Sequence, residues 1–404
     1  MPVQPLAVSD RLALMSLPPL VEPAAGLTRE EIARYSRHLM IPDFGAAGQR
    51  RLKNARVLVV GAGGLGSPVL LYLAAAGIGT LGIVDFDVVE ESNLQRQIIH
   101  GQSDLGRSKA RSARDSIAEL NPLVSVRLHE IRLTSDNALD LFGRYDLVID
   151  GTDNFATRYL VNDAAVLAGK PCVWGSVYRF CGQVSVFWED APDGPNGEKR
   201  GLNYRDAYPE PPPAGLVPSC AEGGVLGILC ASIASVMGTE AVKLITGIGE
   251  PLLGRLLIYE ALPMSYRTIG LRKDPAAPPI TGLVDYEAFC GNTVPDEAAV
   301  VTPRQLRDML DARAAITLVD VREPAEWEIN HIPGAVLVPM SVIESGTGLS
   351  GLPRDTTPVL YCKSGARSAA ALAIFERAGF SGAVHLRGGI VAWAQQFDPD
   401  MAIY

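Results

Sequence analysis

The stretch Val57-Leu-Val-Val-Gly-Ala-Gly-Gly-Leu-Gly-Ser-Pro68 decides the fold. Four apolar, mostly β-branched residues run into Gly61, Gly63, Gly64 and Gly66. The apolar run predicts a buried parallel strand. The glycines let the backbone turn sharply and approach a phosphate. Pro68–Gly77 then predicts a helix whose amino end faces that anion. A second strand, Leu81-Gly-Ile-Val-Asp85, ends in a carboxylate placed to accept a hydrogen bond from a ribose hydroxyl. A glycine-rich turn can also serve close packing alone. The strand before it, the helix after it and Asp85 together favour a nucleotide site.

A chain of 404 residues can bury one large core and has room for a second. It is 48% hydrophobic and 20% charged, as in soluble globular proteins, and its net charge of −9 gives no reason to expect a nucleic-acid or membrane partner. Six cysteines are scattered without a C-x-x-C pair. Met1–Leu20 lacks a basic leader and is broken by prolines, so a cytoplasmic protein with reduced thiols is expected. The apolar stretch Val225–Met237 is too short to span a bilayer and predicts a core helix.

Residues 1–26 read as a loosely ordered tail. A helix follows from Leu27, with Thr28 as N-cap and Glu31 in the capping-box position. Its Arg34, Arg37 and His38 also suit a solvated face. From Arg56 to Asp150 strands and helices alternate, which predicts βαβ units on a mostly parallel sheet. Asn93, Arg96 and Lys109 follow the Asp85 strand. They suit a triphosphate and a departing pyrophosphate, and equally a polar loop with a helix start. Asp153 and Asn154 follow the Asp146–Asp150 strand, on the same sheet edge as the glycine loop. Asp153 beside phosphates and cations suggests a magnesium ligand; as the cap of the next helix it would serve structure, and it could do both. Cys172 and Cys181 read as packed core thiols. Glu189–Pro218, rich in proline, glycine and charge, reads as a mobile surface excursion. It ends at Cys220, before an apolar helix, where the thiol is either reactive or structural. Prolines over Arg272–Thr281 predict a linker, with the domain boundary between about 272 and 297.

The last hundred or so residues form a smaller α/β unit. A strand ends in Asp320-Val-Arg322. Another, Pro358–Tyr361, leads into Cys362-Lys-Ser-Gly-Ala-Arg367-Ser368 and a helix. Successive backbone N–H groups of such a loop converge on the sulfur, and the helix amino end and Arg367 add positive potential. That cradle favours a thiolate or an anionic persulfide. Phosphatases of this general design place five residues between Cys and Arg. Here Lys363, Ser364, Gly365 and Ala366 make four, a smaller ring better suited to one extra sulfur atom.

Residues from about 27 to 271 resemble the ubiquitin-activating-like adenylyltransferases, in the molybdopterin-synthase and thiamine sulfur-carrier branch. The likeness rests on Arg34-Tyr-Ser-Arg37-His, Gly61–Pro68, Asp85-Phe-Asp87, Ser92-Asn-Leu-Gln-Arg96, Lys109, Thr152-Asp153-Asn154 and Cys220-Ala-Glu-Gly-Gly. Residues 298–404 resemble a rhodanese sulfurtransferase domain through Asp320-Val-Arg322, Glu326-Trp327, His331-Ile-Pro-Gly-Ala335 and the Cys362–Arg367 loop. The resemblance implies a Rossmann-like α/β adenylation domain, a linker over 272–297 and a rhodanese domain. The first would use Mg-ATP to adenylate the C-terminal glycine of a small ubiquitin-like sulfur carrier ending in Gly-Gly. Gly61, Gly63, Gly64, Asp85, Asn93, Arg96, Lys109, Asp153 and Asn154 would hold nucleotide and metal. Arg37 would reach the nucleotide of a neighbouring subunit in a homodimer. Cys362, with Arg367, would carry sulfur from thiosulfate or a desulfurase persulfide to the activated carrier, giving a thiocarboxylate in a molybdenum cofactor, thiamine or related pathway. Cys220 would hold the carrier covalently or help release the product.

One departure stands out. Many relatives carry two C-x-x-C pairs that bind structural zinc. The corresponding stretches here read Asn203-Tyr-Arg-Asp206 and Glu287-Ala-Phe-Cys290, a poor zinc set, and no zinc is expected. Two other readings remain open. One is an adenylyltransferase with a non-catalytic rhodanese-like binding module. The other is a nicotinamide-dependent oxidoreductase, which lacks an evident acid or base for hydride chemistry.

Overall fold

The structure is a computed structural model, described for residues 17–194, 197–212, 223–290, 299–345 and 347–404. It divides into two compact units. The first holds the described residues up to Pro211 and from Gly223 to Phe289; the second holds Pro212, Cys290 and everything described from 299 onward.

The first unit is built on an eight-stranded sheet. Its strands are β1 (Arg56–Val60), β2 (Thr80–Val84), β3 (Ser125–His129), β4 (Leu147–Asp150), β5 (Cys172–Tyr178), β6 (Cys181–Phe187), β7 (Arg255–Glu260) and β8 (Ser265–Gly270). They lie in the order β3-β2-β1-β4-β5-β6-β7-β8. The first five are parallel; β5 to β8 are antiparallel. Val57, Leu58 and Val59 are fully buried, as a parallel strand covered on both faces must be. The chain steps from β1 outward to β2 and β3, then crosses back to β4. The strand order therefore reverses beside β1, where open α/β sheets bind ligands. Val60 pairs with both Val84 and Asp150, so the loops after β1, β2 and β4 leave the sheet level with one another.

Glycine is sterically required at Gly66 and Gly77, among other positions of this layer. A Cβ at Gly66 would lie 1.8 Å from the Gly61 carbonyl oxygen. Gly77, at φ +85°, ends the Gly66–Ala76 helix against the Tyr35 ring. The Gly227–Thr246 helix packs on the Gly66–Ala76 helix and on β5 and β6. It is long and apolar enough to cross a membrane by length and composition. Here Leu229, Ile233, Met237 and Leu244 are core residues, as the sequence suggests.

Several expectations are corrected. The second half of the supposed tail is docked: Leu17 and Val21 enter the core, and Leu20 N–H donates to the Leu244 carbonyl at 3.0 Å. Residues 1–16 lie outside the described part. The Glu189–Pro218 excursion is anchored where it is described. Leu202 and Tyr204 are buried, and Tyr204 sits among Tyr159, Trp174, Phe187 and Tyr208. The division between the two units, after Phe289, falls within the interval 272–297. Tyr286, on the Tyr286–Phe289 helix, is buried and donates to Asp163 Oδ2 at 2.7 Å, which ties that segment to the first unit. Cys172 is buried as expected, and burial pushes its thiol well up; Cys181 is only half-buried.

The second unit has a parallel sheet in the order β11-β10-β12-β13-β9. Its strands are β9 (Val300–Val301), β10 (Ile316–Asp320), β11 (Val336–Leu337), β12 (Thr357–Tyr361) and β13 (Val384–Leu386). Alternation along the strands feeds two cores. Val319 and Leu360 pack with Ala371 and Phe375; Leu318, Val359 and Tyr361 pack with Leu306 and Trp393. The Pro303–Asp311 helix is capped by Thr302, with Gln305 completing a capping box.

Candidate active sites

The first site lies at the carboxyl ends of β1, β2 and β4. Asp85 organises it. Its Oδ2 accepts from Ala62 N–H at 2.8 Å and its Oδ1 from Asp87 N–H at 2.9 Å. These two bonds use one lone pair on each oxygen. Burial pushes the carboxyl up, against the two amide hydrogen bonds and Lys109. Below the glycine loop, buried His100 faces the Ala62 carbonyl through Nε2 at 3.1 Å and Ser112 Oγ through Nδ1 at 2.8 Å. The sequence reading missed this histidine; nothing local to it names its partner.

Lys109 starts the Lys109–Leu120 helix and reaches Asp87 Oδ2 at 3.1 Å. Asn93 is buried, and its Oδ1 accepts from Glu90 N–H at 3.2 Å. Arg96 donates to the Ser92 carbonyl at 3.0 Å, and its side-chain carbons lie beside the space a Cβ on Gly64 would fill. That same space brings Gly64 against Cys230 Sγ of the core helix. Nothing lies within 3.8 Å of where a Gly63 Cβ would stand except Gln97 Nε2, at that distance. After β4, Asn154 rather than Asp153 caps the Phe155–Leu167 helix, its Oδ1 accepting from Thr157 N–H at 2.8 Å. The cap role offered for Asp153 is thereby corrected; its carboxylate is exposed. Buried Asp150 accepts from the backbone and hydroxyl of Thr152 at 2.9 and 2.6 Å and anchors that turn. The structure thus brings Gly61, Gly63, Gly64, Asp85, Asn93, Arg96, Lys109, Asp153 and Asn154 to loops at one sheet edge. Arg37 is exposed on the Ser36–Leu39 helix. Cys220 lies outside the described residues.

The second site follows β12. Cys362 is fully buried. Gly365 N–H donates to its Sγ at 3.1 Å and Ser368 Oγ lies 3.7 Å away. Gly365, at φ +105°, makes the turn into the Ala366–Arg377 helix. Gly388 and Gly389 start the next helix so closely that a Cβ on Gly389 would lie 2.4 Å from the carbonyl oxygens of Cys362 and Lys363. The Ile390 N–H donates to the Cys362 carbonyl at 2.9 Å and the Val391 N–H to the Lys363 carbonyl at 3.2 Å. Arg367 donates bidentately to Glu326 at 2.7 and 2.8 Å. Burial pushes Glu326 up, but the Arg367 contact prevails and holds its carboxyl below the usual range. Tyr404 OH donates to the same carboxylate at 2.6 Å. Behind them, Arg322 and Asp320 form a fully buried ion pair at 2.6 Å.

The polar side chains of the two stretches expected to lack zinc have partners. Asn203 donates to Glu189 at 2.8 Å, Asp206 pairs with Lys273 at 3.3 Å, and Glu287 faces Arg132 at 3.9 Å. Arg205 instead joins Asp163 at 2.7 Å and lies over the Tyr159 and Phe289 rings. One thiol among carboxylates and an amide that are already committed does not fit zinc. Among the described residues no group of three or more His, Cys, Asp or Glu could hold a metal.

This arrangement of a crevice at the carboxyl ends of parallel strands and a Cys-x-x-x-x-Arg loop belongs to a known class. The chain is a member of the ThiF family, matched over residues 35–278, and carries a rhodanese-like domain over residues 302–396. It is 71% identical over 395 residues to a "Probable adenylyltransferase/sulfurtransferase MoeZ" of Mycobacterium tuberculosis, covering 96% of this chain and 99% of that one. It is 52% identical to a "Sulfur carrier protein adenylyltransferase" of Thermus thermophilus, over 65% of this chain and 98% of that one. A Drosophila grimshawi "Adenylyltransferase and sulfurtransferase MOCS3" is 41% identical, over 94% and 87% of the two chains. The crystal structure of Escherichia coli MccB with MccA-N7isoASN shares the fold at 20% identity, with a TM-score of 0.53 over 65% of this chain and 75% of that one.

Proposed function

We infer that this chain is an enzyme with two linked activities, ATP-dependent adenylation of a small sulfur-carrier protein and sulfur transfer to it. The observation that carries this reading is the joining, in one chain, of the Asp85-centred crevice to the Cys362 loop. The relatives that share both units are named for both activities.

The residue roles are part of the proposal. The carrier's terminal carboxylate attacks the α-phosphorus of ATP. A phosphoanhydride bond breaks, and pyrophosphate leaves with its electron pair. Arg96 and Lys109 are the cations proposed to meet that charge. Asp85 holds the ribose, Asn93 and the glycine loop the phosphates, and exposed Asp153 with Asn154 would hold magnesium, which supplies charge neutralisation when bound. In the second unit the Cys362 thiolate attacks the sulfane sulfur of the donor, whose S–S bond breaks; from thiosulfate, sulfite leaves. The resulting persulfide attacks the acyl carbon and expels AMP. A second thiol then takes the Cys362 sulfur into a disulfide and frees the carrier thiocarboxylate. Cys220 is the candidate for that thiol, or for a thioester holding the carrier. We further propose a cytoplasmic homodimer in which Arg37 reaches the partner's nucleotide, no zinc, and a molybdenum cofactor, thiamine or related pathway.

The deciding experiment is the intact mass of Gly-Gly-ending carriers incubated with this protein, Mg-ATP and thiosulfate. The expected product carries sulfur in place of one terminal oxygen with wild type only, and stops at the adenylate with Cys362→Ala. An unchanged carrier in every case would sink the reading.

A further inference from the structure

Strand β13 carries a histidine where the core would accept an apolar side chain. His385 is buried, opposite Leu360 of β12 in register, two residues before Cys362. Its Nδ1 lies 3.4 Å from Ser368 Oγ. Its Nε2 is buried without a hydrogen-bond partner. Burial, reinforced by Arg387, pushes its pKa down, so the ring is neutral and carries one N–H. A buried bare nitrogen is better tolerated than a buried orphan N–H, which places the proton on Nδ1.

That tautomer has a consequence for Ser368. The hydroxyl owns one proton and has three neighbours: His385 Nδ1, the Gly365 carbonyl at 3.0 Å and Cys362 Sγ at 3.7 Å. With Nδ1–H donating to Oγ, the serine proton is left only the two acceptors in the sulfur loop. An anionic sulfur is the stronger of these. We propose that His385 is a positioning residue for sulfur transfer: through Ser368 it turns a hydroxyl proton onto the Cys362 sulfur and so holds that sulfur as an anion. The inference deepens the reading of Cys362 as the sulfur carrier and rests on it.

The test follows iodoacetamide alkylation of Cys362 in the full-length protein, by peptide mass at one slightly acidic pH. In this reaction an S–C bond forms and iodide leaves. Asparagine places its amide N–H near the Nδ1 position, glutamine near the Nε2 position. His385→Gln is expected to slow alkylation about tenfold, the effect of losing one hydrogen bond to a charged group, as is Ser368→Ala. His385→Asn should stay within about twofold of wild type, and Ser368→Ala/His385→Gln should be no slower than Ser368→Ala, because both act through one bond. Thermal unfolding reports folding of the second unit, and ATP–pyrophosphate exchange that of the first. If His385→Gln fails to fold, His385→Asn against Ser368→Ala decides. A wild-type rate in His385→Gln, a slow His385→Asn, or multiplying losses in the double variant would each overturn the proposal. Sulfurtransferase activity surviving in Cys362→Ala would instead overturn the parent reading.

Discussion

The glycine loop after β1 and the cysteine loop after β12 are built alike and used differently. Both follow a buried parallel strand and turn into a helix, so both gather backbone N–H groups. They differ in where the counter-charge sits. In the first, Asp85 grips the loop from the sheet side through Ala62 N–H, Lys109 pairs with the exposed Asp87 carboxylate and Arg96 donates to the Ser92 carbonyl. In the second, the cation Arg367 is already paired with Glu326, and Gly365 N–H and the Ser368 hydroxyl converge on the protein's own sulfur. On the proposed reading the first loop meets an anion from outside, whereas the second is turned inward on a single atom.

The sharpest break of this comparison is Cys362→Ala. Removing a nucleophile should cut thiosulfate sulfurtransfer by about 10³-fold or more while ATP–pyrophosphate exchange stays at wild-type rate. Loss of both would mean that the two loops do not act separately. Next, Lys109→Ala should lower kcat/KM for ATP by about 10²–10³-fold, as for other groups that meet developing charge, and leave sulfurtransfer intact. Glu326→Ala removes the carboxylate that Arg367 grips bidentately and should destabilise the second unit by about 3–5 kcal/mol in denaturant unfolding. Glu326 also gives a pH signature. Its folded pKa lies below the ordinary 4.5, so its stabilising effect is present above pH 4.5 and fades as pH falls below it. Glu326→Gln should flatten that acid limb. The smallest effect is the expected null: a strong chelator should leave the melting temperature of the first unit unchanged, whereas Asp163→Asn, which weakens the Arg205 and Tyr286 contacts, should lower it.

Much of this was legible because it is local. A strand, its glycines and a carboxylate at the next strand's end lie within 29 residues of one another, from Val57 to Asp85. The four-residue spacing from Cys362 to Arg367 is equally compact. What escaped the sequence is joined over distance. Glu326 and Arg367 are 41 residues apart, and Asp163 and Tyr286 are 123 apart. Leu17 and Val21 looked like tail because their neighbours are prolines and polar residues; their core is supplied by helices far along the chain. Strands β8 and β13 were missed because one is exposed along most of its length and the other has three residues.

The complete burial of Cys362 has a kinetic meaning. A covered sulfur reacts only in the fraction of time that its surroundings open. For a sluggish reagent the observed rate is the opening equilibrium multiplied by the chemistry; for a fast one it is the opening rate itself. Small thiols and oxidants in the surrounding water would therefore meet the persulfide rarely, whatever its intrinsic reactivity. A series of electrophiles of rising reactivity should reach a plateau, and the height of that plateau is the frequency with which the site opens.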